Sequence, residues 1–336
     1  MTASLTAKGA KRGRKGREAE NSFASLRVRT FAPFAVKFIF LCAALPLLLF
    51  PVVAAQTPPA TEDIFVVDLT NNKGRLEFGK PTNITNREGY DNQPSFLPDG
   101  QSLLYTSARE GNQTDIYRYD FKTNSSTRLT DTPESEYSPT LTPDGKSFSV
   151  IRVEADKAQR LWKFPLAGGA PSLLLPDIKP VGYHLWLDKR VLALFILGAE
   201  GKPNTLELIP TDMKFRDTIH VNIGRSLQMI PNQQKFSFIH KIAPGDWRVK
   251  AFDLKTHRTT TLVKTLPDSE DLAWLPDGTL LMAHDSKLYQ WNPAQPAADW
   301  HELADFSAAG LKKITRLALN PQATRLALVA QTEPAH

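Results

Sequence analysis

The chain alternates apolar and polar positions in short runs, and the runs repeat. Residues 94–105 read P-S-F-L-P-D-G-Q-S-L-L-Y, and residues 139–150 read P-T-L-T-P-D-G-K-S-F-S-V. In each, a short apolar stretch enters a Pro-Asp-Gly turn and leaves as a second apolar strand. Pro presets φ, Asp bonds its own backbone, and Gly takes the positive φ that closes a hairpin. The turn recurs at Pro98, Pro143, Asp188, Pro231, Pro276 and Pro321, at steps of 45 residues with a single step of 43. A large apolar residue travels two places ahead of it: Phe96, Leu141, Trp186, Met229, Trp274 and Leu319.

Each repeat continues in the same way. In the first, a strand over 102–107 is followed by T-D-I-Y-R-Y-D (114–120), alternating and aromatic as a half-buried strand should be, and a last strand ends at Arg128-Leu129-Thr130. Leu161-Trp162 and K-L-Y-Q-W (287–291) answer in register. Four short strands per repeat of this length predict a propeller blade. The run Val191–Leu197 predicts a strand buried on both faces. Residues 312–330 supply only two strands of a sixth unit, and residues 62–85 supply two more, with a turn at Asn71-Asn72-Lys73-Gly74. The expected fold is therefore all-β: a six-bladed propeller over 62–331 with four-stranded blades, its ring closed by strands from both termini. In that arrangement 62–85 and 312–331 complete one blade, and a sheet edge open to aggregation is removed.

These motifs resemble the TolB-like family of propeller repeats. P-S-F-L-P-D-G (94–100), S-A-R-E-G (107–111), D-I-Y-R-Y-D (115–120) and R-L-T (128–130) follow the family's pattern of turn, strand and closing L-T. The resemblance covers nearly all of the chain after the leader, and it implies an extracytoplasmic binding or scaffold propeller. It departs from TolB in lacking the α/β domain that precedes the propeller there, so contacts that depend on that domain do not carry over.

Charge sorts the two ends of the chain. The net formal charge is +6, yet residues 1–55 hold nine basic and two acidic residues, so the remainder sums to −1. The balance argues against nucleic acid as a partner. A basic stretch ending at Lys37 precedes the apolar run Phe38–Ala55, and Val53-Ala54-Ala55 places small residues before a cut at Gln56. Residues 1–55 thus read as a signal peptide cleaved after Ala55, or as an N-terminal anchor facing the periplasm, with 56–61 a short linker and 332–336 a tail. Cys42, the only cysteine, lies in the apolar run, so disulfides and thiol chemistry are excluded downstream.

No zinc, calcium, phosphate-loop or nucleophile-elbow pattern occurs, and no cofactor or metal is expected. Positions just ahead of each innermost strand define a polar ring at the channel mouth: Asp91, Glu136, Tyr137, Tyr183, His184, Arg225, Glu270, Asp271 and Arg316. One reading is a pocket for a peptide segment, a sugar or a small anion, with the arginines as discriminating donors. The other is that loop residues are polar because they are solvated. Trp162, Trp186 and Trp274 are expected to pack between blades. Arg109 is expected to bond within its own blade, and Trp247 to stand at a hairpin tip or strand start where an exposed ring would meet a partner. The functional expectation is a non-enzymatic, monomeric module that binds an envelope protein or peptide. The alternative is a lyase or hydrolase, or a binder, acting on a saccharide or other small ligand at the mouth.

Overall fold

A computed structural model describes residues 62–72 and 75–331; the leader, the linker, Lys73-Gly74 of the expected turn and the tail lie outside the described residues. The regular elements of the described residues are all strands, apart from one short 3-10 turn at Ser307–Ala309. Four sheets have four strands each. The second of them in chain order comprises Val181–Trp186, Val191–Ile196, Thr205–Pro210 and Asp217–Val221, each antiparallel to the next. The fifth sheet has nine strands and joins both ends of the chain. Its one half runs Tyr90–Phe96, Ser102–Glu110, Gln113–Asp120, Ser125–Arg128. Its other half runs Lys312–Leu319, Arg325–Gln331, Glu62–Asn72, with Arg75–Phe78 and Thr82–Asn83 on the outer edge. A single parallel bridge, Glu62 to Tyr90, connects the halves.

The repeated turn is the same hairpin each time. Gly100, Gly145 and Gly278 adopt φ of 63°, 69° and 86°, and the Asp before each accepts a backbone N–H two residues on, at 2.8–2.9 Å. Where glycine is absent a turn persists: Ala323 takes positive φ at the glycine's place, Asn232 takes it one residue earlier, and Asp188 accepts from Arg190 at 2.6 Å. The terminal strands pair in seven rungs, from Glu62 opposite Gln331 to Asp68 opposite Arg325.

Apolar side chains alternate onto both faces of the middle strands and fill the gaps between sheets. One cluster joins Ile151 and Leu161 to Leu192 and Leu194 of the next sheet; another joins Phe195 and Leu206 to Phe236 and Phe238. A third sets Ile64 and Val329, from the two chain ends, against Leu103 and Tyr105. Val191–Ile196 is buried at all but its first position, as its unbroken apolar run predicts. Trp186 donates from Nε1 to Ser149 Oγ of the preceding sheet at 2.9 Å, and Trp274 to Ser237 Oγ at 2.8 Å, so both tryptophans do bridge sheets. Arg109 donates to Tyr105 Oη at 2.7 Å and lies over the Tyr117 ring, within its own sheet. Trp247 starts a strand but is half-buried; its ring packs on an apolar cluster and takes the Lys241 ammonium 4.2 Å above it. It is therefore not the free aromatic that its neighbour Gly245 implied.

Candidate functional site

The strands that carry the polar ring are irregular there in every sheet but that of Leu272–Trp274, whose pairing is continuous. Register shifts occur between Asn92 and Ser95, between Tyr137 and Thr140, and between Ile314 and Arg316. At two of them a non-glycine residue is left-handed, Gln93 at φ 58° and Ser138 at φ 55°. A bulge re-aims side chains, so neighbouring residues of the expected ring part company. Gln93 Oε1 turns to the adjacent strand and accepts the Ser138 N–H at 2.7 Å.

Four expected residues leave the mouth. Asp91 and Glu136 are wholly buried against the second strands, and neither lines the mouth cavity. Asp91 meets Arg87 at 3.3 Å, and burial lifts its carboxyl above the usual range. Glu136 accepts from Thr132 and lies 3.5 Å from Arg152, and burial pushes it up to about 7. One carboxylate oxygen of each has no hydrogen-bond partner among the described residues. Tyr137 packs on the neighbouring apolar cluster. His184 is buried, shares a 2.6 Å hydrogen bond with Ser149 Oγ, and is pushed down to about 3 by desolvation, which keeps it neutral.

The other five converge. Tyr183, Arg225, Glu270, Asp271 and Arg316 line a cavity of about 660 Å³ together with Glu62, Tyr90, Asn92, Asp268, His284, Asp285 and Lys313. A narrower cavity of about 220 Å³, lined by His184, Gln93, Ser138 and Gln228, shares Tyr183, Arg225, Asp271 and Arg316 with the first. Those shared residues form the waist between the two. Arg316 occupies it: Nε donates to Asn92 Oδ1 at 2.7 Å, one terminal nitrogen donates to Tyr183 Oη at 3.0 Å, and the other lies 3.6 Å from Asp271. Residues from three sheets thus meet on one guanidinium. Asp271 also accepts the Leu317 N–H at 3.0 Å, and burial raises its carboxyl against the pull of Arg316 and Arg225.

The second arginine is engaged too. Arg225 donates to the Thr315 carbonyl at 2.6 Å, and its backbone N–H goes to Glu270, which pairs with Lys241 at 2.8 Å. Both arginines expected to discriminate a ligand thus bond the protein itself, although the buried Nε of Arg225 has no hydrogen-bond partner among the described residues. The charges that line the cavity without such commitment are Asp268 and Lys313, with Asp285 3.5 Å from His284. Glu62, Asp268 and Lys313 were invisible to repeat reasoning, because they lie where the terminal half-repeats and a loop meet the mouth. Among the described residues no three His, Cys, Asp or Glu gather as a metal site, and no helix is long and apolar enough to cross a membrane.

Comparison with known proteins follows the same lines. A family model described as the TolB beta propeller domain matches residues 51–224. An uncharacterized protein of Agrobacterium fabrum is 30% identical over 81 residues, 24% of this chain and 27% of that protein, so the alignment spans about a quarter of the relative. The putative TolB from Agrobacterium tumefaciens has a TM-score of 0.62 at 14% identity, covering 82% of this chain and 99% of that one. TolB from Acinetobacter baumannii gives 0.53 at 13%, covering 81% and 65%. A gluconolactonase from Xanthomonas campestris gives 0.58 at 9%, covering 83% and 99%. At such identities the likeness is one of fold.

Proposed function

Because this chain belongs to the TolB beta propeller family, we propose that its sheets form a closed ring of six four-stranded blades and that the ring acts as a non-enzymatic protein-binding or scaffold module outside the cytoplasm. The ring spans 62–331, with 62–85 and 312–331 sharing a blade. The pairing of Glu62–Asn72 with Arg325–Gln331 and the apolar clusters between successive sheets support closure. The leader's basic stretch, apolar run and small residues before Gln56 support export to a bacterial periplasm, with the protein free or held by that leader.

One observation carries the functional reading. Arg316 bars the waist of the channel with three polar partners, so the mouth of about 660 Å³ acts as a charged cup rather than a through-passage. A cup with both signs of charge on its rim suits a polar segment of another envelope protein, where rim charges set register and encounter rate. The full chain, cross-linked in its native envelope and recovered, should yield a repeatable partner. Asp268→Lys and Lys313→Glu at the rim should each reduce that yield, while changes on the opposite mouth should not. Recovery of no partner, or one indifferent to the rim, refutes the reading.

A second reading rests on the cavity's size, which lies in the range of small-ligand pockets: a saccharide or similar polar molecule held or turned over at the same mouth. Saturable sugar binding that Asp268→Asn weakens, with no protein partner, would favour it.

A further inference from the structure

Six residues at one equivalent position of the repeat line the inner cavity of about 220 Å³: Gln93, Ser138, Tyr183, Ser226, Asp271 and Arg316, at steps of 45 residues with a single step of 43. Each lies on the first strand of its repeat or, for Asp271, directly before it. Their hydrogen bonds are one-sided. Gln93 Oε1 accepts the Ser138 N–H at 2.7 Å and the Thr106 hydroxyl at 2.8 Å, which leaves its amide NH₂ to donate. Tyr183 Oη accepts from Arg316 at 3.0 Å and keeps its own proton to donate. The hydroxyls of Ser138 and Ser226 and the Nε of Arg225 are buried without a hydrogen-bond partner among the described residues, and Ser226 as a whole is 4% exposed. We propose that this cavity binds a single small monovalent anion of the chloride class, held by these uncommitted donors and joining the strands that carry them.

Charge selects the sign and size of the guest. Asp271 is the one carboxylate on this cavity, and it is taken up by the Leu317 N–H at 3.0 Å and by Arg316 at 3.6 Å. Arg225 Nε stands 4.0 Å from it, beyond hydrogen-bond reach. Two guanidiniums against one carboxylate, with His184 neutral, leave one positive charge in excess on the wall. Buried donors and an uncompensated charge are both costly, and a monovalent anion relieves both at once. One terminal nitrogen of Arg225 is spent on the Thr315 carbonyl at 2.6 Å, which breaks up the two-pronged grip that carboxylates favour. Donors that arrive singly from separate strands suit a spherical ion.

Room and access fit as well. With about 30 Å³ to each water, the cavity takes such an ion together with part of its hydration shell. A route in lies on the side away from the rim, where a cavity of about 400 Å³ shares Pro94, Ser95, Gln228 and Leu317 with the inner one. The rim charges Asp268 and Lys313 do not line the inner cavity, so the anion site neither rests on the protein-binding reading nor falls with it.

The test exchanges the full chain into sodium gluconate and titrates it with sodium chloride at constant ionic strength. The melting temperature should rise saturably, and a crystal soaked in bromide should show one anomalous peak in contact with Ser138 and Ser226. Ser226→Ala should weaken chloride about ten-fold or more, while His301→Gln, on an exposed outer strand, should leave it unchanged. Ser226→Asp supplies the negative charge itself, so in gluconate it should melt above wild type and no longer respond to chloride. A cavity that merely holds water gives the reverse, since an uncompensated buried carboxylate lowers the melting temperature. No chloride-specific rise, a bromide peak elsewhere, or formate saturating at lower concentration than chloride overturns the assignment. Should the Ser226 variants fail to fold, the bromide peak in the wild-type protein decides.

Discussion

Glu136→Gln offers a prediction whose size follows from the structure. Glu136 is fully buried with one oxygen unpartnered, and its carboxyl rises from 4.5 to about 7. The native state therefore holds a proton that the unfolded chain has released between those two values. Stability from this group is fully present below 4.5, falls as pH rises through that window, and is flat above 7. At about 1.36 kcal/mol per tenfold change in proton affinity, the whole loss is about 3 kcal/mol. Gln has similar shape and no charge to desolvate, and Arg152 keeps its second partner Glu134. The variant should thus gain about 2 kcal/mol on wild type between pH 5 and pH 8. Urea unfolding of both proteins at those two pH values measures it. An equal stability difference at both would refute the claim that burial raises this carboxyl.

Other consequences are open to the same instruments. His184 is buried and neutral down to about 3, while an exposed histidine protonates near 6.5, so the native state binds fewer protons in that window. Its contribution is present above 6.5 and lost as pH falls toward 3; His184→Asn should flatten the acid limb of the stability curve, and an unaltered limb would count against it. Arg316→Met removes three polar partners at the waist and leaves Asp271 poorly paired, which should cost about 3–5 kcal/mol in urea; a loss under about 1 kcal/mol would mean the waist does not hold the inner strands. Trp186→Phe loses the bond to Ser149 and half of the indole's packing, so more than about 1 kcal/mol should go in urea, with Trp274→Phe matching it through Ser237.

Turn chemistry made the fold legible. A Pro-Asp-Gly hairpin is specified by its own residues, so even the degenerate turns at Asp188 and Asn232 announced themselves by spacing. The strand Lys287–Trp291 fell where the register put it, and Val191–Ile196 was readable from its apolar run. The site was readable only in part, because repeat register fixes where a residue lies along a strand but not which way it points past a bulge. Gln93 and Ser138 in left-handed conformation turn the strands just after Asp91 and Glu136, and no local residue pattern announces them. Arg316 was expected in the polar ring from its register, but its acceptors Asn92 and Tyr183 are 224 and 133 residues away. Side chains that meet across a channel leave no periodic trace.

The pairing of Glu62–Asn72 with Arg325–Gln331 also sets an order of events in the life of the chain. Glu62–Asn72 must wait until Arg325–Gln331 has been made before its long edge is covered on that side. Contacts of such sequence separation are slow to form, and until they do, an apolar strand reading I-F-V-V is available to any other edge, including that of a second newly made copy. A chain cut short before Arg325 should therefore be lost to aggregation or proteolysis rather than persist as a partial propeller. Quality control is in effect written into the topology, since only a chain made through Gln331 can cover the strand Glu62–Asn72.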